Sequence, residues 1–160
     1  MTRLKPIILL TRPARQSARF AEQLRGELGA VEVVVSPLFR IEPITRAEIS
    51  GGFDGVVFTS ENAVQFTDAP VGTRAYCVGA RTAKAARDAG FEAVSADGTV
   101  EDLIRLIKTT ATAARLIHVR GEQSRGNLAQ QLDNTADQIT YRQVAVPPTP
   151  EAKDLVNGDH

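Results

Sequence analysis

Two hydroxyl-bearing residues, Thr59 and Ser60, directly follow a short apolar run in the middle of the chain. The run, residues 56–58, predicts a buried strand because it is too brief for a helix. The hydroxyls then stand where the N-cap of a following helix is expected. A parallel strand that turns into a helix points unpaired backbone N–H groups above the sheet, where they attract anions together with the helix dipole. The segment therefore predicts an anion-binding turn.

Similar strand-to-helix turns recur in residues 9–12, 78–82 and 118–121. Because the carboxyl ends of parallel strands share one edge of a sheet, these turns predict a cleft for a ligand with many negative groups. Arginines at or near the same strand ends fit this hypothesis: Arg12, Arg81, Arg120 and Arg125. Solvated surface charge explains the arginines equally simply, and a plain helix cap explains the hydroxyls.

The other reactive side chains favour structural roles. Cys77 lies within a predicted strand with no histidine near it in sequence, which is typical of a buried structural cysteine. His118 lies in the apolar run 116–119 and is interpreted as a hydrogen-bonded strand histidine. One cysteine and two histidines do not make a metal-ligand cluster, and neither glycine-rich phosphate motif occurs. We therefore expect no metal and no other cofactor.

The composition is typical of a soluble protein. At 160 residues the chain has the length of one ordinary domain or two small ones. No apolar run approaches the roughly 20 residues of a membrane helix. The 19 basic and 19 acidic residues cancel and tryptophan is absent, which argues against a nucleic-acid partner. A single cysteine suits a reducing compartment, so we expect a cytoplasmic protein.

Short apolar runs alternate with helical patterns, which favours an α/β fold with a parallel sheet and right-handed crossovers. Strands are predicted at residues 7–11, 31–35, 56–58, 75–78, 91–94, 116–119 and 139–146. Helices are predicted at residues 15–28, 60–66, 82–89, 99–108 and 122–132. Thr99 and Asp102 have the spacing of an N-terminal capping box.

Residues 37–44 interrupt this alternation. Pro37 and Pro43 exclude a central strand but allow an edge strand or a linker, so we place a domain boundary there. A second group of prolines, at positions 147, 148 and 150, ends regular strand pairing near the other end of the chain.

Six segments, taken in order, resemble the uroporphyrinogen-III synthase family. They are Leu-Leu-Thr-Arg-Pro (9–13), Val-Phe-Thr-Ser-Glu-Asn-Ala-Val (57–64), Cys-Val-Gly-Ala-Arg-Thr-Ala (77–83), Gly-Thr-Val-Glu-Asp-Leu (98–103), Val-Arg-Gly-Glu (119–122) and Tyr-Arg-Gln (141–143). Each motif alone is weak, whereas their order and spacing together are specific.

The resemblance implies two α/β domains, one continuous and flavodoxin-like, the other built from both chain ends. The divisions it implies are residues 1–36 (opening part of domain 1), 37–44 (connector strand), 45–141 (continuous domain 2), 142–150 (return connector) and 151–160 (start of the return to domain 1). The two connectors are expected to pair antiparallel. Family members continue beyond this point, so we expect the chain to lack the C-terminal part of domain 1 and to be a poor cyclase alone.

The resemblance also implies the site residues. Tyr141 matches a family tyrosine that faces the cleft and assists departure of a hydroxyl, although by itself it fits an ordinary strand aromatic. The implied substrate contacts are Thr11, Arg12, Thr59, Ser60, Asn62, Gly79, Thr82 and Gly121. Thr82 is expected to be exposed near a helix start.

The implied reaction is cyclisation of hydroxymethylbilane to uroporphyrinogen III, with loss of water and inversion of the terminal ring. We expect a monomer that acts mainly by folding this linear tetrapyrrole and holding its carboxylates, because the substrate supplies most of the chemistry. The alternative is a non-catalytic flavodoxin- or receiver-like module that binds an anion or another ligand. A receiver would need acidic residues at the strand ends, where this chain has Thr, Ser, Arg and Gly.

Overall fold

The structure is a computed structural model that describes residues 5–124 and 127–158. The chain forms two compact units. Unit 1 contains the residues up to Ile41 and those from Gln143 onward, and unit 2 contains Glu42–Arg142. Among the described residues, no helix combines the length and the apolar character needed to cross a lipid bilayer.

The described elements alternate between strands and helices, which confirms the predicted α/β class. In chain order the strands are β1 (Ile7–Leu10), β2 (Glu32–Val35), β3 (Phe39–Pro43), β4 (Ala47–Glu48), β5 (Gly55–Phe58), β6 (Thr67–Asp68), β7 (Arg74–Cys77), β8 (Glu92–Ser95), β9 (Leu116–Gly121) and β10 (Thr135–Ala145). The α-helices are α1 (Ala14–Leu28), α2 (Ala80–Asp88), α3 (Val100–Thr110) and α4 (Pro150–Asn157). Two short 3₁₀ helices lie at Glu61–Phe66 and Ala129–Gln131.

Unit 1 opens with a β-α-β element. β1 and β2 pair in parallel, from Ile7 opposite Glu32 to Leu10 opposite Val35. The connecting helix α1 ends at Gly29, whose φ of +68° is one that glycine adopts without steric cost. This confirms the β-α-β order read from the apolar periodicity at the start of the chain.

Helix α4 in unit 1 was not predicted. The prolines before it indicated only an end to strand pairing. Thr149 caps the helix, its Oγ1 accepting a hydrogen bond from Ala152 N at 3.3 Å. Pro150 lies at the first helical position, where its missing N–H is not needed by the helix. The proline-rich segment therefore follows the end of β10 at Ala145 and also supplies the first residue of α4.

The sheet of unit 2 is doubly wound. Its order is β3-β10-β9-β5-β7-β8, and the five strands from β10 to β8 are parallel to their neighbours. If these five strands are numbered 1 to 5 in chain order, their order in the sheet, read from β8 to β10, is 3-2-1-4-5. Flavodoxin itself has the order 2-1-3-4-5. The direction of winding reverses between β5 and β9. In sheets of this kind, ligands bind at the carboxyl ends of the strands beside the reversal.

β3 pairs with β10 at one edge of the sheet. Ile44 N donates to Thr140 O at 2.8 Å, and Val146 N donates to Leu38 O at 2.9 Å. The residue numbers in these bonds run in opposite directions, so the two segments are antiparallel. This is the pairing expected for segments whose prolines suit an edge.

The core of unit 2 fixes the strands on both sides of the reversal. All four residues of β5 are buried. Val57 packs in one cluster with Leu116 of β9 and Leu103 of α3. The predicted capping box of α3 is present, with Asp102 N donating to Thr99 Oγ1 at 3.3 Å and Thr99 N to Asp102 Oδ2 at 2.8 Å. The buried side of α3 therefore packs in the same core cluster as β5 and β9.

Some predicted elements differ in type or extent. Within the described residues, the helix expected at 122–132 is reduced to the 3₁₀ helix Ala129–Gln131. Leu128 and Leu132 are nevertheless buried in the core, because their four-residue spacing suits a short turn as well as a long helix. The segment after Ser60 is also 3₁₀. β10 begins at Thr135 rather than at residue 139, since its polar start pairs with β9 through the backbone.

Candidate functional site at the carboxyl edge of unit 2

Thr59 and Ser60 leave β5 beside the point where the strand order reverses. Both residues are half-buried. Ser60 is a helix cap, as predicted, because its Oγ accepts a hydrogen bond from Asn62 N at 3.2 Å. Successive side chains of an extended segment point to opposite sides. The two neighbouring hydroxyls accordingly join two different groups of side chains.

The Thr59 hydroxyl belongs to a network that we call the His118 network, made of Thr59, His118, Asp137 and Arg120. Thr59 Oγ1 lies 2.9 Å from His118 Nε2, and His118 Nδ1 lies 3.2 Å from Asp137 Oδ1. Arg120 Nε donates to Asp137 Oδ2 at 2.7 Å. The network links β5, β9 and β10 by side chains in addition to their backbone pairing.

The imidazole of His118 is neutral near pH 7. Its side chain is only 4% exposed, and burial lowers its pKa to about 4. The negative charge of Asp137 acts in the opposite direction, but the positive charge of Arg120 offsets part of that effect. The interpretation of His118 as a satisfied strand histidine is confirmed, since both ring nitrogens have partners.

The arginines near the strand ends are not equivalent. Arg120 is directed into the protein: besides its bond in the His118 network, it donates to the Gly121 carbonyl at 2.9 Å. Its Nε and Nη1 donors are therefore engaged within unit 2, and its side chain is only 22% exposed, so it is less available to a polycarboxylate than an exposed arginine. Arg12 and Arg81 are exposed, as that hypothesis requires. Arg125 lies outside the described residues.

Tyr141 owes its orientation to an irregularity in β10. The register passes from Ile139 opposite Arg120 to Tyr141 opposite Gly121, so Thr140 is an extra residue in the strand. Such a β-bulge re-aims the side chain that follows it. Because strand side chains alternate between faces, the extra residue turns Tyr141 away from the face that carries Ile139.

Four residues form the Tyr141 cluster: Ser60, Phe66, Gly121 and Tyr141. The Tyr141 and Phe66 rings are stacked with centroids 5.5 Å apart. A Cβ on Gly121 would lie 2.6 Å from Tyr141 Cε2, so the ring fits only over a glycine. Burial raises the pKa of Tyr141, which is 4% exposed, and interactions with the Ser60 side chain and the Gly121 backbone offset this only in part. The phenol therefore stays protonated at neutral pH.

Two further predicted contacts lie at the start of α2. Gly79 is extended, with a φ of −149°, and a Cβ there would meet no atom within 4 Å. The fold therefore does not require glycine at this position. Thr82 is buried, with 6% exposure, on the same side of α2 as Ala83 and Ala86. The expectation of an exposed threonine is wrong, because this side of the helix is its packed side.

Thr11 and Arg12 follow β1 and belong to unit 1, where both are exposed. The Arg12 carbonyl accepts a hydrogen bond from the buried Ser17 Oγ at 2.7 Å, which fixes the turn between β1 and α1. Thr11 also lines a cavity of about 240 Å³ within unit 1, together with the apolar side chains of Leu38 and Val156. The remaining predicted contacts belong to unit 2.

Cys77 has the structural role that its position in the sequence predicted. It is fully buried, and burial raises the pKa of its thiol to about 12, so the reactive thiolate is scarce at neutral pH. In the described part of the chain, no three His, Cys, Asp or Glu side chains are grouped so that they could hold a metal ion.

Sequence reasoning missed Asp137 and Phe66 as neighbours of the site. One signal for the His118 network was available, because His118 and Arg120 are two residues apart in a predicted strand and so share a face. Asp137 gave no such signal. It lies in a polar stretch that no apolar pattern marks as a strand, and only the pairing of β10 with β9 brings it opposite His118.

The strand order and the polar edge define a doubly wound α/β protein of the kind that binds ligands where the winding reverses. Residues 18–157 match the family model described as uroporphyrinogen-III synthase HemD. The chain therefore belongs to the uroporphyrinogen-III synthase family, the cyclising lyases of tetrapyrrole biosynthesis.

A solved structure agrees with this assignment at the level of the fold. The crystal structure of uroporphyrinogen-III synthetase from Helicobacter pylori is similar with a TM-score of 0.59 and 14% identity, over 95% of this chain and 68% of that chain. A mutant uroporphyrinogen III synthase from the extreme thermophile Thermus thermophilus gives a TM-score of 0.48 and 17% identity, over 96% of this chain and 69% of that chain. No curated protein matches the sequence.

Proposed function

We propose that the protein acts as a uroporphyrinogen-III synthase and binds hydroxymethylbilane at the carboxyl edge of unit 2. The observation that carries this proposal is the Tyr141 cluster in a member of the family. A phenol that stays protonated lies beside the Ser60 hydroxyl, next to the reversal of strand order. A proton donor at this place suits a reaction that begins with the loss of a hydroxyl group.

The first step breaks the bond between the terminal carbon of hydroxymethylbilane and its hydroxyl oxygen. Tyr141 donates a proton, directly or through Ser60, and the hydroxyl leaves as water. The resulting azafulvene, in its protonated azafulvenium form, is attacked by the substituted carbon of the far ring, which gives a spiro intermediate. Fragmentation and reclosure invert that ring, and the proton released when the ring regains aromaticity restores the phenol. The net change is the loss of one water.

Positioning supplies most of the remaining catalysis. The substrate carries acetate and propionate groups, and Arg81, an exposed cation of unit 2, attracts them. Arg12 is an exposed cation of unit 1. Gly79 leaves space in which a carboxylate can approach the backbone. Gly121 acts differently, because the ring of Tyr141 already fills the space above it.

The other predicted substrate contacts support the proposal less strongly. Asn62 lies half-buried beside the Ser60 cap and Thr11 is exposed, so both can meet a ligand. Thr82 can do so only if the ligand reaches the packed side of α2. We also propose that unit 2 corresponds to the continuous domain of the family, and that the protein is a cytoplasmic monomer without a cofactor. The lone buried thiol of Cys77 is compatible with a reducing compartment.

The test is to incubate hydroxymethylbilane with the protein, oxidise the products and separate the uroporphyrin isomers. We expect isomer III in excess of the isomer I that forms without protein, but at a low rate, because the chain alone is expected to be a poor cyclase. Isomer I alone, at the spontaneous rate, would contradict the proposal. If hydroxymethylbilane binds but is not converted, the non-catalytic ligand-binding alternative is supported instead.

A further inference from the structure

The His118 network fixes the direction of each of its hydrogen bonds. Arg120 has donors and no acceptor, and the Asp137 carboxylate has acceptors and no donor. Asp137 Oδ1 faces His118 Nδ1 at 3.2 Å, so the ring proton is held on Nδ1. In a neutral imidazole the other nitrogen, Nε2, then has only a lone pair to offer. Thr59 Oγ1, 2.9 Å away, must donate its single proton to it.

This direction decides what Thr59 can offer to a ligand. A hydroxyl has one proton and two lone pairs, and the proton of Thr59 is already used. Among the described residues its oxygen has no second partner, and the residue is half-buried at the carboxyl end of β5. The oxygen can therefore accept a hydrogen bond from a ligand but cannot donate one. A carboxylate, which only accepts, does not suit this position.

We propose that His118, Asp137 and Arg120 act as positioning residues that make Thr59 an obligate hydrogen-bond acceptor for a pyrrole N–H of the substrate. The identity of the substrate rests on the proposed function, whereas the direction of the hydrogen bonds does not. Pyrrole N–H groups are the donors that a linear tetrapyrrole presents along its whole length. Thr59 thus binds a pyrrole ring of the tetrapyrrole, while cations and backbone amides bind its acidic side chains.

Asp137→Asn tests the direction without removing an atom from the network. Arg120 Nε needs the oxygen of residue 137, because it can only donate. The amide nitrogen is then turned toward His118 Nδ1, which must give up its proton to accept from it. The proton moves to Nε2, and Thr59 becomes a donor to the ligand.

The tautomer can be measured directly by ¹⁵N NMR of histidine-labelled protein. The sequence contains only one other histidine, His160, so His160→Ala assigns the signals. We expect the parent protein to carry the proton on Nδ1 and Asp137→Asn to carry it on Nε2. A proton on Nε2 in the parent would overturn the proposal, whatever the outcome of the activity assay.

The consequence for binding is measured as KM for hydroxymethylbilane. We expect Thr59→Val and Asp137→Asn each to raise KM about five- to tenfold, the effect of one hydrogen bond, with kcat little changed. Thr59→Ser should restore the parent KM. Asp68→Asn is the matched control, because it weakens a similar exposed Arg–Asp pair, Arg46–Asp68, outside the network.

Two results of the binding assay would overturn the acceptor role of Thr59. One is an unchanged KM in Asp137→Asn despite a reversed tautomer, and the other is an unchanged KM in Thr59→Val. If Asp137→Asn does not fold, the comparison of Thr59→Val with Thr59→Ser decides the point. If the parent chain does not bind hydroxymethylbilane, the proposed function and the pyrrole contact fail together, while the NMR result still decides the tautomer.

Discussion

Thr59 and Ser60 are consecutive residues, yet different forces hold their hydroxyl groups in place. Thr59 depends on the His118 network, in which each atom is placed by charge and by the direction of a hydrogen bond. Ser60 depends on the Tyr141 cluster, which is placed by shape: a bulge, a glycine and a stacked ring. The first group should therefore respond to protons and to isosteric changes of charge. The second should respond to changes of volume.

The largest effect is expected from Tyr141→Phe, which removes the proposed proton donor and keeps the ring. Positioned acid catalysis contributes about 10²–10⁴-fold, so kcat for isomer III should fall by about 10²-fold or more with KM little changed. The melting temperature should be nearly unchanged, because the stacking on Phe66 is kept.

The control for this change is Tyr76→Phe, which removes the only other phenol, from the core of unit 2. It should leave kcat at the parent value. If Tyr141→Phe also forms isomer III at the parent rate, the tyrosine has only a structural role and the proposed first step is wrong.

The next effect is on stability in acid and comes from the His118 network. Unfolded His118 binds a proton near pH 6.5, whereas folded His118 does so only near pH 4. Between these values the unfolded chain binds more protons than the folded chain. The contribution of His118 to the free energy of unfolding is therefore fully present above pH 6.5 and is lost as the pH falls to 4. At about 1.4 kcal/mol per pKa unit, the total loss is about 3 kcal/mol.

Urea unfolding at several pH values measures this loss. Other carboxylates titrate in the same range, so the informative quantity is the difference between the parent and His118→Gln, which cannot take up the proton. The variant should be less stable at neutral pH but lose less stability between pH 6.5 and 4. Parallel curves for the two proteins would mean that His118 is not the group that titrates.

A comparison of two glycines tests the Tyr141 cluster by volume. Gly121→Ala places a Cβ 2.6 Å from the Tyr141 ring and should lower the free energy of unfolding by about 1–3 kcal/mol, as overpacking does. Gly79→Ala meets open space in an extended backbone and should change it by less than about 0.5 kcal/mol. If Gly79→Ala nevertheless weakens substrate binding, the cause is contact with the substrate and not a change in the fold.

Chemical denaturation of both glycine variants, together with KM, makes this measurement. Gly121→Ala should also lower kcat, because the displaced ring moves the phenol away from Ser60. Equal stabilities for the two variants would show that the ring of Tyr141 adapts freely, and that its position is not set by the space above Gly121.

The sequence was sufficient for the sheet of unit 2, because apolar runs such as 56–58 are too short for helices and are followed by capping residues. It could not show the bulge at Thr140, since an extra residue in a strand leaves no mark in composition. It therefore could not decide which face Tyr141 occupies. The role of Asp137 was hidden for a related reason, because pairing through the backbone alone can hold a polar segment in a sheet.

The smallest effect is expected at Ser60, which belongs to the Tyr141 cluster and is adjacent in sequence to Thr59 of the His118 network. Ser60→Ala removes the cap of the 3₁₀ helix, which should lower the free energy of unfolding by about 1 kcal/mol. It also removes an interaction that lowers the pKa of Tyr141, so the phenol should titrate at a higher pH than in the parent. Phenolate absorbance in a Tyr76→Phe background reports Tyr141 alone, over the pH range in which circular dichroism shows a folded chain.

Thr59→Ala is the matched control. It removes the neighbouring hydroxyl, which belongs to the His118 network, and should not change the pH at which the Tyr141 phenol titrates. If both variants shift the phenol alike, the two regions are coupled through the turn after β5, and the separation between charge and shape does not hold.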